Sequence, residues 1–590
     1  MCGIMFEIEQ QEITKKIQDI CVQLGFGPIE PKWVWIPFSG QWGIATSFFE
    51  LAARKAQSDP SIKVNIYAAQ IADQIKEELG NLPQIQMIQA VKGYLNLYFE
   101  SNLYAIKVVD QILELGADYG KGKETKQKVM VEFSQPNSLK AFHVGHLRNM
   151  VLGAAISNIL ETSGDNVIRA NYLGDIGLHV ITWLWNYMKF HNGEEPPKQN
   201  KIRWMGDLYA EATKRREENP ENESEVRALF KLWNIKDKAV IDLWKKTRDW
   251  SLQAFDQIYA QMGISFDHVY YESEVEDAGK ILIDDLIKNK MAKDERPTGS
   301  VFVDLDQLLG TSEEYRVLVL LRSDGTSLYS TKDIPLAIKK FEQYHLDRSI
   351  YVVDVRQSLY FKQIFKILEL MGYSWAKSCH HLAYEIVNLP GNVTIASREG
   401  TVILLEDLLQ EAEHRALKVV DQKNPDLSEE EKDKVAHSVA LGAIKYSLLS
   451  RDNTKIITFN WDSALDVNGQ AAPYIQYAGV RAISILRNIS NQIPGSRKID
   501  YELSRQEIQL IDYLARLPQE IQRAAKEMKP LLITNYVYEV ARAFNDFYSA
   551  CPVLQADDNI RDFRLRLVAA ARQTIINSLN LLGINLPEVM

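Results

Sequence analysis

One stretch limits the fold more than any other: residues 129–174, "VMVEFSQPNSLKAFHVGHLRNMVLGAAISNILETSGDNVIRANYLG". It begins as an apolar run of strand length, crosses a polar turn, continues with helical periodicity and ends in a second β-rich run. A strand, a helix and a strand in that order form a βαβ unit, which requires a parallel sheet because parallel neighbours need a crossover between them. Ligands of open parallel sheets sit beyond the carboxyl ends of the strands. The polar turn after Phe133 is therefore the first place to look for chemistry.

That turn carries His143 and His146 with Gly145 between them, at the start of the helix. A helix amino terminus offers unsatisfied N–H groups and the positive end of the dipole, so it favours phosphate. Histidines one turn apart add donors on the same face, and Gly145 has no side chain to keep a base or phosphate away. With ten histidines and thirty glycines in the chain, the pattern HxGH arises by chance about 0.01 times. Two polar histidines on an exposed helix start are the alternative.

The rest of the chain divides around this unit. With 590 residues, roughly three to five domains are expected. Residues 1–118 carry helical patterns followed by "QAVKGYLNLYFE", read as a strand, and form a small α+β module. The charged, glycine-containing run "DYGKGKETKQK" marks its end. A catalytic unit over 119–400 is interrupted by a helical insertion at about 186–290. Strand-like segments at "SVFVDL", "RVLVLLR" and "SIYVVDV" are expected to complete its sheet. Residues 401–590 read as helix, with a capping box at Ser504 and Glu507 and an interruption at Pro518. The expected class is multidomain α/β, with a helical bundle at the end. No fixed-period repeat or low-complexity tract is present.

Composition narrows the function classes. Hydrophobic residues at 46% and charged residues at 25% exclude disordered and fibrous classes. The net charge of −10 gives no general support to nucleic-acid binding, although local basic surfaces are compatible with it. Cys2, Cys21, Cys379 and Cys551 lie too far apart in sequence for zinc-ligand spacing. No long apolar run or signal-type start appears, so a cytoplasmic protein without membrane partners is expected. "CGI" after Met1 resembles the start of enzymes with an amino-terminal cysteine nucleophile. The helical spacing of Ile8, Ile13, Ile17, Ile20 and Cys21 argues against that reading.

"PNSLKAFHVGHLRN" resembles the HIGH signature of class I aminoacyl-tRNA synthetases. With "ANYLGDIG", "SDGTSLYSTKDI", "PYIQYAGVRAISILR", "FNDFYSACPVL" and "LRLVAAARQTIINSLNLLGI" in the same order, the chain resembles the arginyl-tRNA synthetase family over essentially its whole length. The resemblance implies a Rossmann-type catalytic domain, an additional amino-terminal tRNA-binding domain and an all-α, DALR-like anticodon-binding domain. It implies ATP-dependent activation of L-arginine to arginyl-adenylate and transfer to the 3′ end of tRNA(Arg); Mg2+ is expected from the chemistry of ATP, and a monomer is expected.

By the same resemblance His143, Gly145 and His146 serve ATP. Asp333 and Tyr329 contact the guanidinium, with Glu272 as a further candidate, and Glu132, Asn137 and Gln357 hold the α-amino end. A guanidinium demands carboxylates because it is always charged and presents forked donors. Taken alone, Asp333 reads as an N-cap for the helix beginning at "IPLAIKKF", and Glu132 as the partner of a nearby lysine.

The stretch "NVTIASREGTVILLEDLL" lacks the lysine of the Lys-Met-Ser-Lys-Ser-like loop. Lys140, with Arg398 as helper, is expected to take over the pyrophosphate charge. His179 after "YLGDIG" also departs from the family's tryptophan and glutamine. For tRNA, Tyr94 and Asn96 match a strand that meets a D-loop base, and Tyr474, Gln476, Tyr477 and Arg481 match the anticodon reader. Another class I synthetase, a small-molecule nucleotidylyltransferase and a catalytically silent tRNA-binding relative remain alternatives.

Overall fold

The computed structural model of the protein describes residues 7–389, 393–394 and 404–590. Five strands form its central sheet: β1 (Lys128–Glu132), β2 (Asn166–Leu173), β3 (His268–Tyr271), β4 (Arg348–Asp354) and β5 (Cys379–Tyr384). Their order is β5–β4–β1–β2–β3 and every pairing is parallel. The order reverses between β1 and β4, which makes the carboxyl ends of those two strands the topological switch point.

The helices that place the site are α1 (Val144–Ser163), α2 (Leu178–Phe190), α3 (Lys238–Met262), α4 (Tyr329–Tyr344) and α5 (Ser358–Leu370). Further along lie α6 (Glu429–Leu449), α7 (Ala472–Arg487) and α8 (Asp558–Leu581). Val129 and Val131 of β1, with Ile350 and Val352 of β4, face α1 and α3, whereas Met130 of β1 packs with Leu336 and Phe341 of α4. A sheet covered on both faces needs apolar residues at successive positions, which is why β1 reads as an unbroken apolar run.

The insertion differs from its expected 186–290 span. Helix α2 already starts at Leu178, three more helices follow through Met262, and β3 at His268–Tyr271 returns to the sheet as its edge. A four-residue strand is too short to show a period of its own among helical neighbours. A tryptophan-rich core fills the insertion, with Trp183, Trp185, Trp244 and Trp250 buried.

Two of the three segments expected to complete the sheet do not join it. Val301–Asp304 and Val317–Leu321 pair antiparallel with each other, and Lys293–Asp294 adds a third strand to that separate sheet. Only "SIYVVDV" joins, as β4. Alternation identifies a strand but says nothing about its partners.

Before β1, the helices Glu7–Gln23, Phe49–Ser58, Val64–Leu79 and Ser101–Leu115 surround a four-stranded antiparallel sheet. "QAVKGYLNLYFE" is a hairpin rather than one strand: Ile85–Val91 turns at Lys92 and Gly93, both at positive φ, into Tyr94–Phe99. Two positive φ values are what a type I′ turn requires. Ile13, Ile17 and Cys21 bury one face of the first helix, while Cys2 lies outside the described residues.

After Leu404 the chain is helical apart from the short strand Ile457–Thr458, which pairs with Val387–Leu389, and Ser504 and Glu507 form the expected capping box. Pro518 falls in the first turn of the helix Leu517–Glu527, at the break after Ala515. Among the described residues no helix is long and apolar enough to cross a membrane.

Candidate active site

His143 is the N-cap of α1, with extended backbone, and the two histidines close a reciprocal cap. The Gly145 N–H donates to His143 Nδ1 at 3.1 Å, and the His143 N–H donates to His146 Nδ1 at 3.2 Å. Because both Nδ1 atoms accept, each neutral ring carries its proton on Nε2. The rings lie 3.9 Å apart between centroids. Burial, with Lys140 nearby, pushes His143 down to about 4. Burial, His143 and Lys140 hold His146 well below the ordinary histidine value. At neutral pH the pair therefore offers two uncharged N–H donors.

Gly145 sits under the His143 ring: a Cβ there would lie 2.8 Å from His143 Cε1. The close approach that this glycine permits is first of all that of the imidazole. Lys140 lies just before the pair, with Nζ 4.7 Å from the Tyr209 ring centroid on the insertion. Arg398 lies outside the described residues. His179, at the start of α2, is pushed down to about 3 by burial and by Lys140 and Lys332. Its Nε2 is buried with no hydrogen-bond partner among the described residues.

At the switch point opens a cavity of about 350 Å³. Glu132, Asn137, Glu272, Tyr329, Asp333 and Gln357 all line it, joined by Gln135, Tyr172, Tyr351 and Phe361. Glu132 ends β1, Glu272 follows β3, Asp333 lies in the second turn of α4, and Gln357 lies just before α5. Four segments distant in sequence thus meet at one hole.

The electrostatics are uneven. Lys340, fully buried, pairs with Glu132 Oε2, and Gln135 donates to Glu132 Oε1 at 2.9 Å. Lys332 pairs with Glu272. Among the described residues Asp333 pairs with no lysine: Tyr360 donates to its Oδ2 at 2.5 Å, and its Oδ1 is buried with no hydrogen-bond partner. Of the three carboxyl groups, Asp333 is the one without an ion pair among the described residues. Burial pushes Asp333 up to about 6, and burial pushes Glu272 up to about 7 against the opposing pull of Lys332. A cation with planar donors would satisfy the free acceptor and pair with the carboxylate.

Asp333 is not an N-cap, because α4 begins four residues earlier at Tyr329. The lysine-partner reading of Glu132 describes its pairing with Lys340, although Glu132 also lines the cavity.

Residues 108–461 match the family described as "tRNA synthetases class I (R), catalytic domain", and residues 475–590 match "DALR anticodon binding domain". The chain belongs to the class I arginyl-tRNA synthetases. It is 36% identical to the arginine–tRNA ligase of Bdellovibrio bacteriovorus over 512 residues, 85% of this chain and 86% of that one. It is 35% identical to that of Treponema denticola over 529 residues, 87% of this chain and 88% of that one. The Thermus thermophilus arginyl-tRNA synthetase structure superposes with a TM-score of 0.81 at 27% identity, covering 98% of this chain and all of the other.

Sequence reasoning passed over the three partners that hold this synthetase's cavity carboxylates: Lys332 on Glu272, Lys340 on Glu132 and Tyr360 on Asp333. A signal existed for one of them. Asp333, Leu336, Ala337 and Lys340 fall at i, i+3, i+4 and i+7, which places two charges on an otherwise apolar helix face.

The tRNA candidates lie apart from the cavity. Tyr94 is exposed, with its ring edge-on to Phe49, and Asn96 is half-buried on the same strand. On α7, Tyr477 is exposed and the Arg481 guanidinium lies 4.8 Å from the rings of both Tyr477 and Tyr548. Tyr474 is half-buried against Tyr538. Gln476 is a correction. It is fully buried and donates to the carbonyls of Ser438 and Asn585, so in this conformation it is not displayed to a nucleic acid. One residue along a helix turns the side chain by about 100°, which separates Gln476 from the exposed Tyr477.

Proposed function

We propose that the protein is an arginine–tRNA ligase that activates L-arginine with ATP and transfers the arginyl group to the 3′ end of tRNA(Arg). The Oδ1 of Asp333, buried in the switch-point cavity and without a partner among the described residues, carries the choice of amino acid. Asp333 and Tyr329 meet the guanidinium, with Glu272 behind them, while Glu132, Asn137 and Gln357 serve the α-amino end.

In the first step a carboxylate oxygen of arginine forms a bond to the α-phosphorus of ATP. The bond from that phosphorus to the bridging oxygen breaks, and pyrophosphate leaves with the electron pair. The Nε2–H groups of His143 and His146, at the positive end of α1, donate to phosphate oxygens whose charge grows in the transition state. Lys140, with Arg398, neutralises the departing pyrophosphate. In the second step a terminal ribose hydroxyl attacks the arginyl carbonyl, loses its proton and displaces AMP. Orientation and preorganised charge supply the rate, without a covalent enzyme intermediate.

Mg2+ belongs to this reading as the counter-ion of ATP. Among the described residues no group of three His, Cys, Asp or Glu side chains could hold a metal, and Mg2+ commonly binds through substrate phosphates and water. Tyr94 and Asn96 meet the tRNA corner, and Tyr474, Tyr477 and Arg481 the anticodon, where aromatic and guanidinium planes stack on bases. The domains follow the same division: 1–118 for the tRNA corner, 119–400 for catalysis and 401–590 for the anticodon. Every part lies within one chain, so a cytoplasmic monomer suffices.

The test is a charging assay with each proteinogenic amino acid and total tRNA. Stable attachment of arginine alone is expected. Charging of another amino acid, or of none, would overturn the reading.

A further inference from the structure

Between β1 and α1 the backbone does something costly. Ser134 and Gln135 follow the strand at φ values of 80° and 47°, and neither is glycine. Left-handed backbone at such residues is unfavourable and persists only where surrounding contacts over-determine it. The turn matters because Gln135 lines the arginine cavity and donates to Glu132, which lines it too.

Of the side chains that hold this turn, Asn149 alone also reaches β4 and β5. Asn149 is buried on α1, three residues beyond His146. Its Oδ1 accepts from the Ser134 N–H at 2.5 Å, and its Nδ2 donates to the Val352 carbonyl of β4 at 2.8 Å. The same Nδ2 lies 3.2 Å from Gln135 Oε1 and 3.3 Å from the Tyr384 hydroxyl of β5. Asn171 and Tyr259 brace the turn from the other side: the Gln135 N–H donates to Asn171 Oδ1 at 3.1 Å, and the Ser134 and Tyr259 hydroxyls meet at 2.7 Å.

We propose that Asn149 is a positioning residue that fixes the amino-acid wall of the cavity in register with the phosphate-binding start of α1. Asparagine suits the post because one short, uncharged group both accepts from Ser134 and donates to Val352. Aspartate would keep the acceptor and set a charge against the Val352 carbonyl. Alanine would supply neither bond and leave a buried N–H and a buried carbonyl unpaired. The rigid helix between His146 and Asn149 spans only one turn, so a shift of the turn is a shift of arginine relative to ATP. The inference rests on the reading of the cavity as the seat of arginine.

The test measures arginine-dependent exchange of pyrophosphate into ATP, with tRNA present, for Asn149→Ala, Asn149→Asp and the double variant Ser134→Gly with Asn149→Ala. Both single variants are expected to raise the KM for arginine about tenfold or more, with the KM for ATP within about threefold of wild type. Glycine tolerates positive φ, so the double variant should recover part of the lost arginine affinity. An arginine KM unchanged in both single variants overturns the proposal, as does a parallel rise of both KM values that Ser134→Gly leaves uncorrected. If the wild type shows no arginine-dependent exchange, the functional reading fails first. Amide hydrogen exchange at Ser134 and Gln135 then decides the hold itself, faster in Asn149→Ala supporting it and unchanged overturning it.

Discussion

Tyr360 donates a hydrogen bond to one carboxylate oxygen of Asp333 and leaves the other buried and without a partner among the described residues. A half-satisfied buried carboxylate is expensive to maintain, with an unpaired group costing on the order of 1–3 kcal/mol. Structures keep such a group where a ligand completes it. The pair therefore presents a buried acceptor suited to donors and to positive charge.

The first consequence is a pH dependence. Asp333 is pushed up to about 6 and Glu272 to about 7. A bound guanidinium favours the ionised carboxylates, so the pKa values in the complex lie below those of the free protein. Affinity for arginine is then full above about 7 and is lost as pH falls through 7 and 6, by about tenfold per unit for each carboxylate that must shed a proton. Calorimetric titration of arginine between pH 5.5 and 8.5 checks this. An affinity flat across that range would contradict it.

Gly174, in the "YLGDIG" loop, has no room for a side chain. A Cβ there would lie 2.4 Å from Asn137 Oδ1, and Asn137 and Gly174 form a parallel bridge. Gly174→Ala should push the Asn137 amide out of place and raise the KM for arginine about tenfold, the equivalent of the lower end of an overpacking penalty. The KM for ATP should stay near the wild-type value. Steady-state exchange kinetics read both.

Lys140 is assigned to pyrophosphate because the loop stretch lacks its usual lysine. Lys140→Ala should lower the maximal rate of adenylate formation about a hundredfold, as removal of a charge that acts in the transition state does. Arginine affinity should be retained. Single-turnover measurement of adenylate formation separates the two, and an unchanged rate would remove Lys140 from the mechanism.

Lys445 on α6 is buried, and its Nζ donates to the carbonyls of Met262, the last residue of α3, and Gly583, just beyond α8. It caps two helix ends at once and ties the insertion's last helix to the carboxyl-terminal bundle. Lys445→Met would leave both carbonyls unpaired and cost about 1–3 kcal/mol. A lower midpoint in urea denaturation is expected, with arginine and ATP KM values unchanged.

The histidine pair was legible because a strand, a phosphate-type turn and a helix follow one another within 46 residues and need no long-range contact. The six cavity residues were reached through family resemblance, since nothing local tells Glu132 and Asp333 that they face each other across β1 and α4. Lys332 and Lys340 hid within an ordinary amphipathic helix. Gln476 and Tyr477 show the opposite limit: motif order placed both in the anticodon segment, but only packing reveals which one the carboxyl-terminal residues cover. The small sheet of residues 293–321 stands apart from the central one, a separation that alternation does not reveal because it carries no information about which neighbour a strand will choose.

Asp333, the carboxylate in the cavity without an ion pair among the described residues, selects a planar cation. The most direct measurement is tRNA-supported pyrophosphate exchange by the wild type and by Asp333→Asn, with arginine, citrulline and lysine as amino acids. Exchange with arginine alone is expected in the wild type, and a loss of about a hundredfold or more in arginine efficiency in the variant, as for a charged hydrogen-bonding partner removed from a buried site. Exchange with citrulline or lysine at rates comparable to arginine, or full arginine efficiency without the Asp333 charge, would contradict it.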